Sequence, residues 1–191
     1  NLFPVGDEAV AAQQTGSVDG SDKQQEVKQV VTETYTALES FGLAYQPDYG
    51  LQPYNCQSLN NRIIFSFLYE PLFAVTSSYE AEPVLAETYF VTDDGRTTTV
   101  KLRSGVTFHD GSALTAADAA YSIESAKGSD YYGSRLRFID SAEAQDDLTL
   151  VLSTSEAYEC LPLLLDIPII KSGTKDEVSP PGTGPYEFAE T

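Results

Sequence analysis

The sequence predicts an α/β domain of the mixed α+β kind, with helices set between antiparallel hairpins. Three features predict it. A hairpin over 88–92 and 97–103 turns at Asp94-Gly95, where glycine supplies the positive φ of a tight turn. A helix follows over 115–127. Thr115 with Asp118 three residues on makes a near capping box, and Ala119, Ala120, Ile123 and Ala126 or Lys127 continue one face. A second hairpin over 138–144 and 149–153 crosses 145–148.

The flanking elements follow from the same patterns. Residues 1–22 are rich in Ala, Gln, Gly, Ser and Asp and bury too little apolar surface to order, so they read as a linker. The stretch 23–38 reads as a helix or a tether: Val27, Val30, Val31, Thr34 and Leu38 fall at helical spacing, yet VVTETYTAL is β-branched and alternates. FGLAY at 41–45 reads as a short apolar strand, ended by the prolines and glycine of QPDYGLQP. A helix over 60–69 can be capped by Ser58 or Asn60, with Ile63, Ile64, Phe67 and Leu68 on one face, and Pro71 stops it. In the first hairpin Thr97, Thr99 and Lys101 face one way, and Thr98, Val100 and Leu102 the other. A helix over 156–165 is expected, broken by Pro162 if that residue lies beyond the first turn. Residues 167–170 read as a short buried strand, the chain to Pro185 as loop, and Tyr186–Phe188 as a strand start. No repeat of 20–50 residues is present.

Composition bounds the function. The chain has 191 residues, 41% hydrophobic and 11% aromatic, enough for a core. A net charge of -18 repels nucleic acid and anionic membrane surfaces at long range, so neither is an expected partner. The favoured reading of that charge is solubility of a secreted protein, over an acidic face that attracts cations. No apolar run is long enough to span a membrane, and no signal-peptide pattern occurs. The chain opens on Asn1, which is expected of a processed chain or one cut from a longer one. Cys56 and Cys160 can pair in an exported protein, or can be a buried small hydrophobe and a free thiol. With one histidine they are too few for a structural zinc site, and no metal or cofactor is expected.

Motifs for chemistry are sparse. His109, the single histidine, has Asp110 beside it but no nucleophile elbow, and adjacent strand residues point apart, so it reads as a structural histidine in the FHDG turn. Asp93-Asp94 and Asp146-Asp147 sit at hairpin tips, where Asp favours turns by bonding its own backbone. GTGPY lacks the Gly-Lys-Ser/Thr of a phosphate loop and reads as a structural corner. Twelve tyrosines are many for this length, and Tyr suits binding surfaces. Tyr45, Tyr49 and Tyr54 cluster in the first loop, and Tyr131-Tyr132 precede Arg135; ordinary half-buried tyrosines are the alternative reading.

Four blocks in order carry a family resemblance: YEPLF (69–73), PVLAE (83–87), DDGRTTTVKLRSGVTFHDGSALTAADAAYS (93–122) and GTGPYEF (182–188). From about Phe41 to the C-terminus the chain resembles the extracellular solute-binding proteins of family 5, the oligopeptide, dipeptide and nickel receptors of ABC importers. The resemblance implies a periplasmic-binding-protein-like II fold with two lobes and an extra domain packed on the first. By it, 41–58 and 166–191 are segments of lobe I, 59–165 the extra domain and 1–40 the linker or tether. The second lobe has no counterpart here.

The resemblance also implies a function and a site. The function is the non-enzymatic substrate-binding component of an ABC importer, most simply for oligopeptides or dipeptides, held in this chain with an incomplete clamp. Its partners are a peptide or other small solute and the transporter permease subunits. It places the protein outside the cell as a surface lipoprotein, with membrane contact only through a lipid anchor on a cysteine before Asn1. The loop after the first strand lends backbone groups to an extended ligand. Leu51-Gln52-Pro53 resembles the family's Leu-Asp-Pro with Gln in place of Asp, and beyond it Cys56, Gln57, Ser58 and Leu59 are expected to line the cleft, with Tyr132 from the extra domain. Gln52 and Cys56 depart from the family pattern and leave the ligand class open. The other readings are a stand-alone extracellular interaction or adhesion module, a receptor for nickel or another small solute, and a secreted hydrolase with a cryptic carboxylate pair.

Overall fold

The computed structural model describes Leu2–Pro4, Ser40 and residues 42–189. The expectations for 5–39 and for Phe41 lie outside the described residues. The centre is a four-stranded antiparallel sheet of β4 (Ala86–Val91), β5 (Thr97–Leu102), β6 (Ile139–Asp146) and β7 (Thr149–Thr154), in the order β4-β5-β7-β6. Both hairpins form where the sequence places them. Gly95 takes φ 68° at the first tip, in the left-handed region that favours glycine. In β5 Thr98, Val100 and Leu102 are buried while Lys101 is exposed, so the alternation sets the inner face.

That inner face packs on α2 (Ala116–Lys127), which presents Ala119, Ile123 and Ala126, all fully buried. The small residues allow close approach to Leu150, Leu152 and Ile139 of the sheet. The capping box forms. Asp118 Oδ2 accepts from the Thr115 N–H at 2.9 Å and the Thr115 hydroxyl at 2.6 Å, and Oδ1 accepts from the Ser172 N–H at 2.9 Å. One buried carboxylate thus starts the helix and fastens the returning chain.

The second region carries α1 (Leu59–Leu68), the small hairpin β2–β3 (Phe73–Val75 with Ala81–Pro83) and the segment after β7. Ser58 caps α1, its side chain accepting from the Asn61 N–H at 3.3 Å. The helix face differs from expectation. Ile64, Phe65 and Leu68 are buried, but Ile63 is 68% exposed. The apolar run occupies both sides of the helix, so its period could not choose the inner one.

Four further expectations are corrected. Residues 42–45 form no strand, because the chain there is tied to α1 through Gln46 rather than paired in a sheet. Over 156–165 only a 3₁₀ turn forms, Leu161–Leu164, with Pro162 in its first turn; proline removes a donor that a longer helix would need. Residues 167–170 are a buried strap with a single bridge, Pro71 to Pro168, because Pro168 interrupts any ladder. Leu2–Pro4, placed by composition in a linker, forms strand β1, antiparallel to β8 (Tyr186–Phe188). A four-residue helix α3 (Gly133–Leu136) precedes β6.

Candidate functional site

The GTGPY corner and His109 build the floor beneath α1. The His109 N–H donates to the Gly182 carbonyl at 2.9 Å, its Nδ1 accepts from the Gly182 N–H at 3.4 Å, and Nε2 lies 2.9 Å from the Gly184 carbonyl. With Nδ1 accepting from Gly182 and Nε2 donating to Gly184, the ring brackets the corner from both sides. The Gly184 N–H donates to the Leu68 carbonyl at the end of α1, at 3.0 Å. Beside this bracket, the Lys171 ammonium and then Ser112 hold the Asp110 carboxyl down to about 2. Burial raises the Glu70 carboxyl above its ordinary value.

Above α1, the loop 46–58 is pinned at several points. Asn61, fully buried, accepts from the Gln46 N–H at 2.7 Å and donates to the Gln46 and Gly50 carbonyls at 2.9 and 2.7 Å. The Leu51 N–H donates to Val178, and the Tyr69 hydroxyl donates to the Leu51 carbonyl at 2.9 Å. Gln52 Oε1 accepts from the Tyr54 and Asn55 N–H groups at 2.8 and 2.7 Å, closing a turn. The Tyr54 hydroxyl donates to the Pro168 carbonyl at 2.6 Å, tying the loop to the strap. Burial pushes the Tyr54 and Tyr69 phenols far above their ordinary value, so both stay neutral donors.

This loop, α1 and the loop before α3 enclose two adjoining clefts. One, of about 540 Å³, is lined by Tyr54, Asn55, Cys56, Gln57, Asp130 and their shared neighbours Leu59, Arg62 and Tyr131. The other, of about 600 Å³, continues past those three to Ile63, Tyr69, Tyr132, Asp166 and Pro168. Leu59, at 77% exposed, and Ile63 give α1 an uncovered apolar stripe facing this space. The walls are aromatic: Tyr131 meets Tyr132 edge-on at 4.8 Å, and Tyr132 meets Tyr54 at 6.1 Å. The Arg62 guanidinium lies 3.4 Å from the Tyr131 ring centre and donates to the Cys56 carbonyl at 3.3 Å. Arg135 pairs with Asp166 at 2.6 Å and lies 5.0 Å from the Tyr132 ring centre.

Of the residues singled out from sequence, Cys56, Gln57, Leu59 and Tyr132 line this space. Ser58 lies among them but is turned inward, its hydroxyl donating to Gln46 Oε1 at 2.6 Å. Cys56 and Cys160 are both free thiols, the first buried and the second exposed. Arg62, Tyr131 and Asp166 were not singled out as lining residues. The available signal for Arg62 was its spacing from Leu59, Ile63 and Ser66, all on one helical face. Among the described residues no group of three or more His, Cys, Asp or Glu is placed to hold a metal, and no helix is long and apolar enough to cross a membrane.

Comparison with known proteins gives this geometry a family. The family model for bacterial extracellular solute-binding proteins, family 5 Middle, matches residues 80–191. The glutathione-binding protein GsiB of Pectobacterium atrosepticum is 31% identical over 150 residues, covering 72% of this chain and 29% of that protein. GsiB of Escherichia coli K12 is 30% identical over the same length. Among solved structures, NikA from Brucella suis in complex with Fe(III)-EDTA aligns with TM-score 0.63 and 28% identity, over 75% of this chain and 32% of NikA. The oligopeptide-binding protein AppA from Bacillus subtilis, in complex with a nonapeptide, shares the fold at TM-score 0.60 and 24% identity, over 75% of this chain and 32% of AppA. The chain therefore spans about three tenths of the length of the relatives it matches. The expected mixed α/β, periplasmic-binding-protein-like fold is the one found, and the chain belongs to the bacterial extracellular solute-binding proteins of family 5.

Proposed function

We propose that this chain supplies one wall of the ligand clamp of an ABC-importer receptor, and that the ligand is a peptide or a peptide-sized solute. The observation that carries the reading is the uncovered aromatic and apolar groove between the loop 54–59, α1 and Tyr131-Tyr132. A wall of this kind, lined by rigid rings with few charges, suits a ligand recognised by main-chain bonds and roomy side-chain pockets. Residues 41–58 and 166–191 would belong to the first lobe and 59–165 to the extra domain; the bond from Tyr54 to Pro168 joins the two lobe segments in support of that division. Cys56, Gln57, Leu59 and Tyr132 would touch ligand, and Ser58 would hold their loop in place. The protein would act at the outer face of the membrane with permease subunits, carried by a lipid anchor.

A nickel or other metal chelate is the second reading, favoured by the 28% identity to the nickel ABC transporter structure from Bacillus halodurans and to NikA from Brucella suis in complex with Fe(III)-EDTA. Substitution of the wall separates ligand face from bystander surface. Leu59→Glu and Tyr131→Ala, made in the gene-length protein, are expected to weaken calorimetric binding of a short-peptide pool at least roughly tenfold, the loss of one or two good apolar contacts. Unchanged affinity in both variants would remove the groove from the ligand path.

A further inference from the structure

Arg62 is the unusual residue of the groove. It sits in the first turn of α1, is half-buried, and lines both clefts. Its recorded partners are neutral: the Cys56 carbonyl, the Tyr132 hydroxyl at 3.5 Å and the faces of Tyr131, Tyr132 and Phe65. No carboxylate among the described residues pairs with it. Its neighbour Arg135 is different, since Asp166 cancels its charge at 2.6 Å. Asp130, the other acid of the groove, is exposed at the rim, where water screens it.

A guanidinium has five N–H donors in a planar fork, and the two recorded bonds leave part of that fork uncommitted. The ring at 3.4 Å fixes the plane of the fork while supplying no hydrogen-bond acceptor. Stacking therefore orders the cation before a ligand arrives, which reduces the entropy lost on binding. The setting is also acidic, with a net charge of -18, so an anionic solute gains nothing from the long-range field and needs a local cation.

We infer that Arg62 is the carboxylate anchor of the groove: it takes a carboxylate of the bound solute, either a free peptide C-terminus or an acidic side chain. The inference rests on the groove being the ligand face. The test uses the gene-length protein and a tripeptide library in two forms, free acid and C-terminal amide, with retained species identified by mass spectrometry. Wild type should retain peptides that carry the anchored carboxylate over those that lack it by roughly 10- to 100-fold, the range for one charge-assisted hydrogen-bonded pair. Amides enriched in Asp or Glu among those retained would assign the anchor to a side-chain carboxylate, whereas amides of every composition lost would assign it to the C-terminus. Arg62→Gln should bring the acid-to-amide ratio close to one if the anchor takes the C-terminus, or abolish the enrichment of Asp and Glu if it takes a side chain, and Arg62→Lys should keep an intermediate preference. An unchanged carboxylate preference in a folded Arg62→Gln protein, or equal retention of acids and amides of every composition by wild type, would overturn the anchor and leave the peptide reading standing. Retention of neither form by wild type would overturn the peptide reading and the anchor with it.

Discussion

Gly182→Ala should cost the fold at least about 3 kcal/mol, as an overpacked site with no room to relax. A Cβ at Gly182 would lie 2.0 Å from the Leu68 carbonyl oxygen and 2.5 Å from Tyr69 Cδ1. Neither neighbour can yield. Leu68 ends α1 and its carbonyl already accepts from Gly184, and Tyr69 is buried with its hydroxyl bonded to Leu51. The reverse side of the corner is fixed as well, because His109 holds the Gly182 carbonyl. For a chain of this size the melting temperature should fall by roughly 6–12 °C. Gly128→Ala is the matched control: there the new Cβ meets only Ser125 O at 3.5 Å, an ordinary contact, and the melting temperature should barely move. Equal effects of the two substitutions would show that the close approach of the corner to α1 carries no stability.

Asn61→Leu comes next in size. Leucine keeps the branched heavy-atom skeleton with bulkier ends, so the substitution removes the polar groups while filling, and slightly crowding, the space. The Gln46 N–H and the Gln46 and Gly50 carbonyls would then lose their partner beside a fully buried site. At about 1–3 kcal/mol for each buried group left unsatisfied, offset where water enters, the expected loss is roughly 3–5 kcal/mol. The loss should also be local. Amide exchange of 46–58 should quicken more than that of β5 and β7, because the loop loses its tie to α1 while the sheet core keeps its own. Uniform acceleration across the whole chain would contradict Asn61 as the pin of this loop.

The elements legible in the sequence were those whose signals are local. Gly95 at a hairpin tip, Thr115 with Asp118 at a helix start, Ser58 at the start of α1 and the alternation of 97–102 each act within a few residues, and each forms. The misreadings came where distant contacts decide. Residues 167–170 look like a strand by composition but are held as a strap by Glu70, Ser122 and Tyr54 from elsewhere in the chain. The β2–β3 hairpin has three-residue strands and a turn in which Tyr79, not glycine, takes φ 62°, so no turn signal announces it. The groove divides in the same way. The segment holding Cys56, Gln57 and Leu59 was legible through its family resemblance and Tyr132 with it. The stacking of Arg62 on Tyr131, 69 positions on in the chain, and the approach of Asp166 are products of tertiary packing. Ile63, grouped by sequence on one face with Ile64, Phe67 and Leu68, is exposed instead and lines the groove.

The most direct test of a shared clamp is calorimetry of this chain and of the gene-length protein, side by side, against one pool of short peptides. If the groove is one wall of a two-lobed clamp, as proposed, that wall alone leaves most of the ligand in water, so the account predicts binding by the gene-length protein and weak or no binding by the 191-residue chain. Submicromolar binding by the 191-residue chain alone would contradict it, and would make this domain a self-sufficient binding module.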